Sequence, residues 1–208
     1  MKEYHKIINI YERDITTNKL IEGKFREPIV EYIKDIEWIG TEKVDGTNIR
    51  IHWDGKNVSF AGRTDNAQLP SNLVTWLNNK FQTIIARNIF TTKFGEKKVT
   101  LYGEGYGAGI QKGSGYSKEQ KFVLFDVVID NLFLERGNVI GIAEMFDIEI
   151  VPIVCTGNLD KLVSFVKSNP KSTWGDFESE GIVARPKIEM MNRFGERIII
   201  KIKCRDFK

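Results

Sequence analysis

The chain of 208 residues carries 31 lysine and arginine residues against 28 aspartate and glutamate residues, and 41% of its residues are hydrophobic. This composition is typical of one globular domain and excludes intrinsic disorder and collagen-like repeats. No apolar run approaches the roughly 20 residues that span a bilayer, and the N-terminus lacks the apolar region of a signal peptide. Cys155 and Cys204 are too few for a disulfide framework, so we expect a reducing, cytoplasmic location.

The first predicted elements are a short helix and a hairpin. The helix is expected at residues 28–34. Polar and apolar residues alternate over Thr47–Trp53, the pattern of a half-buried strand, and Asp54-Gly55 is a strong turn signal before a returning strand at 57–62. Ser71 is the expected N-cap of a second helix. The apolar residues of that helix follow at helical spacing: Leu73, Trp76, Leu77, Phe81, Ile84 and Ile85.

The rest of the chain adds mostly strands. We expect buried strands at 99–102 and 122–129, an amphipathic helix at 158–168, and final strands at 180–185 and 197–204. Residues 103–115 hold six glycines without GxGxxG spacing, and their glycine content favours a flexible, turn-rich loop. Because strands outnumber helices and arrive as hairpins, the sequence predicts an α+β fold with largely antiparallel sheets. No linker is visible, so we expect one domain over residues 1–208.

Few side chains of the common catalytic types are present. His5 and His52 are the only histidines, which makes a histidine-based triad or a zincin site hard to build, and the usual P-loop motif is absent. Lys43 instead stands just before a predicted strand, at an Asp45-Gly46 turn. A lysine there can act as a nucleophile if nearby cations or desolvation lower its pKa. Considered alone, the four residues 43–46 favour an ordinary hairpin with a solvated lysine.

Other charged and aromatic side chains lie on the predicted strands. Glu104 ends a strand, and Asp126 follows Phe125 in the most apolar strand, where a carboxylate is costly unless it is paired or bound. Glu180 begins another strand. The two lysines of Ile-Lys-Ile-Lys at 200–203 share a strand face, where they bind a phosphate or are solvated on an edge strand.

In this order, the segments resemble the nucleotide-site motifs of the covalent nucleotidyltransferase superfamily, which contains ATP-dependent polynucleotide ligases and mRNA-capping enzymes. Asn48, two residues after Gly46, and the pair Arg63-Thr64 resemble the motifs of nick-sealing RNA ligases. DNA ligases usually carry an arginine close behind this glycine, whereas Arg50 is four residues after Gly46. The resemblance implies an ATP-grasp-like ligase core with antiparallel sheets flanking a nucleotide pocket. The segments are EKVDGTN at 42–48, GRTDN at 62–66, LYGEGYG at 101–107, FVLFDVV at 122–128, EGIVARP at 180–186 and IKIKC at 200–204.

The resemblance also implies residue roles. Lys43 attacks the α-phosphorus of ATP and forms a lysyl-AMP intermediate. Lys201, Lys203 and Arg63 disfavour protonation of the Lys43 amine and stabilise phosphate charge. Glu180 holds a hydrated Mg²⁺ or Mn²⁺. The nucleotide-binding set is completed by Glu42 at the adenine edge, Asn48 near the ribose and phosphate, Glu104 at the ribose hydroxyls and Phe125 stacked on adenine.

The implied activity is RNA repair by joining of 3′-OH and 5′-phosphate RNA ends. DNA is a second candidate substrate, no membrane partner is expected, and we expect a monomer or weak dimer. Because the chain ends five residues after Lys203, we expect no C-terminal OB-fold or helical domain. The alternatives are a DNA ligase, a GTP-using capping enzyme core, or an adenylylating module that needs a partner for sealing. Asp126 either supports the binding residues from behind or is a structural partner.

Overall fold

A computed structural model describes residues 2–111 and 115–208 of the protein. These residues form two compact units. The first unit contains Asp45–Val151 together with the N-terminal residues through Tyr4, and the second contains His5–Val44 and Pro152–Lys208. The prediction that the whole chain is one nucleotidyltransferase domain stays a prediction.

Strands dominate both units. In chain order they are β1 (Ile8–Asn9), β2 (Tyr11–Arg13), β3 (Leu20–Phe25), β4 (Trp38–Glu42), β5 (Thr47–Trp53), β6 (Val58–Ala61), β7 (Val99–Tyr106), β8 (Lys121–Ile129), β9 (Leu132–Phe133), β10 (Glu149–Ile150), β11 (Ile153–Gly157), β12 (Gly181–Pro186) and β13 (Ile200–Lys203). The helices are α1 (Pro28–Tyr32), α2 (Ser71–Phe81), α3 (Ile84–Phe94), α4 (Arg136–Phe146) and α5 (Leu159–Lys167), and Cys204–Phe207 forms a 3₁₀ turn.

The first unit is built on a sheet in the order β10-β8-β7-β5-β6, with β9 paired to β8. All of these pairs are antiparallel except β10 with β8. The alternation along β5 gives the sheet a core face, on which Ile49, Ile51 and Trp53 are buried with apolar residues of α2, α3 and α4. The opposite face of β5 carries the polar residues Asn48 and Arg50.

Two helices replace the single helix expected after residue 70. Thr83 caps the second, because its side chain accepts a hydrogen bond from the backbone N–H of Ala86 at 3.1 Å. Ile84 and Ile85, which the apolar spacing assigned to the buried face, are therefore 81% and 74% exposed. The prediction of Ser71 as N-cap is also wrong, since Pro70 occupies that position and Ser71 is the first helical residue.

The glycine-rich stretch is a strand in its first part, and not a loop. Gly103 and Gly105 lie within β7. A Cβ atom at Gly103 would lie 2.3 Å from the Phe122 ring, and one at Gly105 would lie 2.4 Å from Leu73. Close approach of neighbouring side chains thus accounts for these two glycines. Residues 112–114 of the stretch lie outside the described residues.

The second unit is built on a sheet in the order β1-β13-β12-β4-β11. Only the β1–β13 pair is parallel. Trp38, Ile182 and Ile202 face a core that includes Leu162 and Val166 of α5. Helix α5 begins where the sequence predicts, because the Asn158 side chain accepts a hydrogen bond from Lys161 N–H.

The observed elements confirm the predicted α+β class with largely antiparallel sheets. Strand β5 has the predicted ends, and the other predicted strands recur with ends shifted by a few residues. The elements that were not predicted are β1 to β4, β9 to β11 and α4. Within residues 2–111 and 115–208, no helix is long and apolar enough to cross a membrane.

Candidate active site

In the second unit, two lysines share one carboxylate. Lys43 follows β4, and its Nζ donates a hydrogen bond to Oε2 of Glu180 at 2.5 Å. Nζ of Lys203 lies 2.9 Å from Oε1 of the same carboxylate. The backbone N–H of Lys43 also donates to the carbonyl oxygen of Gly181 at 2.9 Å, which fixes the lysine beside β12. Three residues predicted for the site from separate motifs are therefore in direct contact.

The charge state of Glu180 follows from these contacts. Burial alone would raise the pKa of its carboxyl group, but the ion pairs and hydrogen bonds with Lys43 and Lys203 outweigh burial and hold the pKa below its ordinary value. The carboxylate is therefore ionised at neutral pH. One negative and two positive charges leave the cluster with a net positive charge, which favours the binding of an anion such as phosphate.

Lys201 and Lys203 lie on a central strand of the second unit. Strand β13 is hydrogen-bonded to β1 on one side and β12 on the other, so the alternative of a solvated edge strand is wrong. Ile200 and Ile202 point into the core, and the two lysines alternate with them on the other face. The sequence prediction that the lysines share a face is confirmed.

Glu42 is buried, at 2% exposure, and is held by a residue that the sequence does not single out. Its Oε2 accepts hydrogen bonds from the backbone N–H of Thr173 at 2.9 Å and from its hydroxyl group at 2.7 Å. Oε1 is buried without a hydrogen-bond partner among the described residues. Glu42 pairs across the sheet with Ile182, a core residue, whereas Lys201 pairs with Val183. The side chain of Glu42 thus lies on the core face and Lys201 on the opposite one.

In the first unit, two predicted ribose-binding residues are neighbours. Asn48 on β5 lies directly opposite Glu104 on β7. Side chains of directly opposite residues stand on the same face of a sheet and within reach of one another. Oδ1 of Asn48 is buried and has no hydrogen-bond partner within residues 2–111 and 115–208. This oxygen is an acceptor that a bound ligand can use.

A β-bulge sets the direction of Phe125. Tyr102 pairs with Asp126, but the next pair along is Gly103 with Leu124, so Phe125 is the extra residue on β8. Leu124 packs in the core, whereas Phe125 and Asp126 both contact Tyr4 outside it. Phe125 is only partly buried. The bulge thereby brings an aromatic ring onto the sheet face that carries Asn48 and Glu104.

The remaining predicted residues are Arg63 and the metal ligand. Arg63 is exposed in the loop after β6. The described residues contain no group of three or more His, Cys, Asp or Glu side chains that could hold a metal ion. Both oxygens of Glu180 accept from lysines, yet each retains a further lone pair. Glu180 therefore fits a metal ion through metal-bound water, and direct coordination would compete with Lys43 and Lys203.

Comparisons with known proteins find RNA ligase structures of similar fold. A variant of Naegleria gruberi RNA ligase with ATP and Mn is 18% identical, with a TM-score of 0.64 over 85% of this chain and 51% of that one. An apo variant is 14% identical, with a TM-score of 0.67 over 98% of this chain and 60% of that one. A variant with AMP and Mn is 18% identical, with a TM-score of 0.63 over 85% of this chain and 52% of that one.

These similarities show a shared fold, and the chain spans 51 to 60% of the length of those three ligase chains. The family model for RNA ligase matches residues 36–203, which is most of the sequence. The matched range contains every residue predicted for the site, from Glu42 to Lys203. The chain therefore belongs to the RNA ligase family.

Proposed function

We propose that this protein is an ATP-dependent RNA ligase that joins 3′-OH and 5′-phosphate ends through a lysyl-AMP intermediate on Lys43. The observation that carries the proposal is the contact of Lys43 with Glu180, which also binds Lys203, in a chain of the RNA ligase family. The neighbouring structures with ATP and Mn or with AMP and Mn support ATP and a divalent cation as the cofactors.

In the first step, Nζ of Lys43 attacks the α-phosphorus of ATP. A nitrogen–phosphorus bond forms, the bond to the bridging oxygen breaks, and pyrophosphate leaves. An ammonium nitrogen has no free electron pair, so Nζ must release a proton to solvent water and separate from Oε2 of Glu180 before it attacks. The triphosphate competes with Glu180 for the lysines, and its binding therefore favours this separation. Lys201 and Lys203 stabilise the charge that develops on the phosphate groups.

Two further steps complete the joining reaction. An oxygen of the RNA 5′-phosphate attacks the phosphorus of the lysyl-AMP, which releases Lys43 and leaves AMP on the RNA end. The 3′-OH of the second end then attacks that 5′-phosphate, and AMP leaves. Arg63, which is exposed, acts on phosphate charge in these steps.

The remaining residues are proposed to bind the nucleoside part of ATP. Phe125 stacks on adenine, and Glu104 accepts hydrogen bonds from the ribose hydroxyls. Asn48 and Glu42 each have a buried oxygen without a partner in the described part of the chain, which supports a role in accepting hydrogen bonds from the nucleotide. For Glu42 the donor is the amino group of adenine. A divalent cation, when bound, would neutralise phosphate charge, and Glu180 would hold it through metal-bound water.

The proposal is tested by incubating the protein with labelled ATP or GTP and a divalent cation, followed by denaturing electrophoresis. We expect covalent label from ATP and little from GTP, whereas a capping enzyme core would be labelled by GTP. Matched RNA and DNA nicks then identify the substrate, and RNA sealing is expected. Because the chain spans only part of the similar ligases, a module that accepts AMP but needs a partner for sealing is the second candidate. It predicts labelling without joined ends.

We also propose the partner, the oligomeric state and the location of the protein. The partner is RNA bearing the two ends, and the protein acts as a monomer or weak dimer. A cytoplasmic location is supported by Cys155 and Cys204, which are both free thiols.

A further inference from the structure

A buried arginine ties the loop after β6 to the sheet. Arg50 on β5 is 0% exposed. Its Nε donates a hydrogen bond to the carbonyl oxygen of Gly62 at 2.7 Å, and its Nη2 donates to Oδ1 of Asp65 at 2.8 Å. One contact lies before Arg63 in the chain and the other lies after it. The guanidinium group therefore holds the loop on both sides of Arg63.

The two partners of this ion pair differ in exposure. The side chain of Asp65 is 64% exposed, whereas that of Arg50 is fully buried. Loss of the carboxylate would take the acceptor and the opposite charge away from a buried guanidinium nitrogen, which is unfavourable. A buried guanidinium group is a planar fork with fixed donor directions. The pair therefore ties the exposed carboxylate of the loop to a fixed, buried donor on β5.

We propose that Asp65 is a positioning residue, held by Arg50, that sets the loop backbone and so the direction from which Arg63 meets phosphate. The inference rests on the proposed function, because Asp65 contributes to the reaction only through Arg63. Asp65 does not bind substrate itself, since a carboxylate repels phosphate groups.

Two variants of Asp65 separate its roles. Asp65→Asn keeps an Oδ1 acceptor for Nη2 of Arg50, whereas Asp65→Ala removes it. Both changes remove the negative charge, so a difference between the variants reports the hydrogen bond and not the charge. Because both substitutions act on the partner of a buried guanidinium group, the melting temperature of each variant is measured first. All rates are then compared at a temperature at which both variants and the wild type are fully folded.

The first measurement needs no nucleotide. Arg63 is exposed and trypsin cleaves after arginine, so the rate of cleavage between residues 63 and 64 reports how firmly the loop is held. We expect cleavage about tenfold faster in Asp65→Ala and within about threefold of wild type in Asp65→Asn. Fragment masses identify the cleaved bond. Equal rates in Asp65→Ala and wild type would overturn the tether.

The second measurement is the rate of AMP transfer to the protein and of sealing, with Asp65→Ala made both alone and in an Arg63→Ala background. As a single substitution, Asp65→Ala should lower the rate of sealing, in which Arg63 acts, about tenfold. Asp65→Asn should keep most of the wild-type rate. With Arg63 already removed, Asp65→Ala should cause no further loss. Additive losses, or an unchanged rate in the single variant, would overturn the positioning role. If the wild-type chain accepts no AMP, the proposed function is wrong and the role in catalysis falls with it, while the cleavage rates still decide the tether.

Discussion

The hydroxyl group of Tyr4 donates a hydrogen bond to Oδ2 of Asp126 at 2.6 Å. The centroid of the Tyr4 ring also lies 5.1 Å from the ring centroid of Tyr102 and 5.0 Å from that of Phe125. Asp126 is 1% exposed, so the contact supplies a donor to a carboxylate on the most apolar strand of the first unit. Of the two roles predicted for Asp126, the contact supports the structural one. It also gives Phe125 a neighbour that restrains its ring.

Removing the Tyr4 hydroxyl should destabilise the protein. Tyr4→Phe keeps the ring contacts but withdraws a donor from a buried acceptor, which costs about 1–3 kcal/mol in the free energy of unfolding. Urea unfolding measures this cost. Tyr32→Phe is the matched control, because Tyr32 is 86% exposed. Its hydroxyl group is solvated by water, so removing it should change stability little. Equal losses in the two variants would contradict the structural role of the Tyr4–Asp126 contact.

Shortening Phe125 should impair ATP use more than folding. We expect Phe125→Ala to raise the KM for ATP more than Phe125→Leu does, because the alanine offers no surface for adenine to stack on. If Phe125 served only the core, both changes would act by destabilisation, with about 3–5 kcal/mol for alanine. Melting temperature and KM for ATP, measured on the same samples, separate the two. An unchanged KM in folded Phe125→Ala protein would favour the core role.

The ion pairs of Glu180 predict a dependence of stability on acid pH. The pKa of Glu180 is lower in the folded protein than its ordinary value of 4.5. Its ionised form therefore stabilises the fold above that value, and the contribution is lost as pH falls through the folded pKa. Glu180→Gln should be less stable than wild type at neutral pH, and the difference should shrink in acid below about pH 4.5.

Thermal unfolding of both proteins across this pH range measures the effect. Glu12→Gln serves as control, because Glu12 forms an exposed ion pair with Lys24 and its loss should change neutral-pH stability little. A constant difference between wild type and Glu180→Gln at every pH would show that the ion pairs do not stabilise the fold.

Local patterns were enough to predict several elements. Strand Thr47–Trp53 was predicted with both ends correct, since its alternation and the following Asp54-Gly55 turn define it. Alternation likewise predicted the shared face of Lys201 and Lys203. The helix break before Ile84 was missed, because apolar spacing continues across it and only the cap at Thr83 marks the new start.

Contacts between distant residues were not predictable in the same way. Lys43 and Glu180 are 137 positions apart, so their ion pair follows from the pairing of strands and not from either motif. The bulge at Phe125 has no signature in an unbroken apolar run. Nothing in the loop around Thr173 marks it as the partner of Glu42, because a lone exposed threonine is common on any protein surface.

The most direct test of the central assignment is intact mass after incubation with ATP and a divalent cation. Wild-type protein should gain the mass of one AMP group, and peptide mapping should locate it on Lys43. Lys43→Ala and Lys43→Arg should gain none while remaining folded, because neither side chain offers a neutral amine and a guanidinium group stays protonated. An AMP adduct retained in Lys43→Ala, mapped to another lysine, would contradict the account.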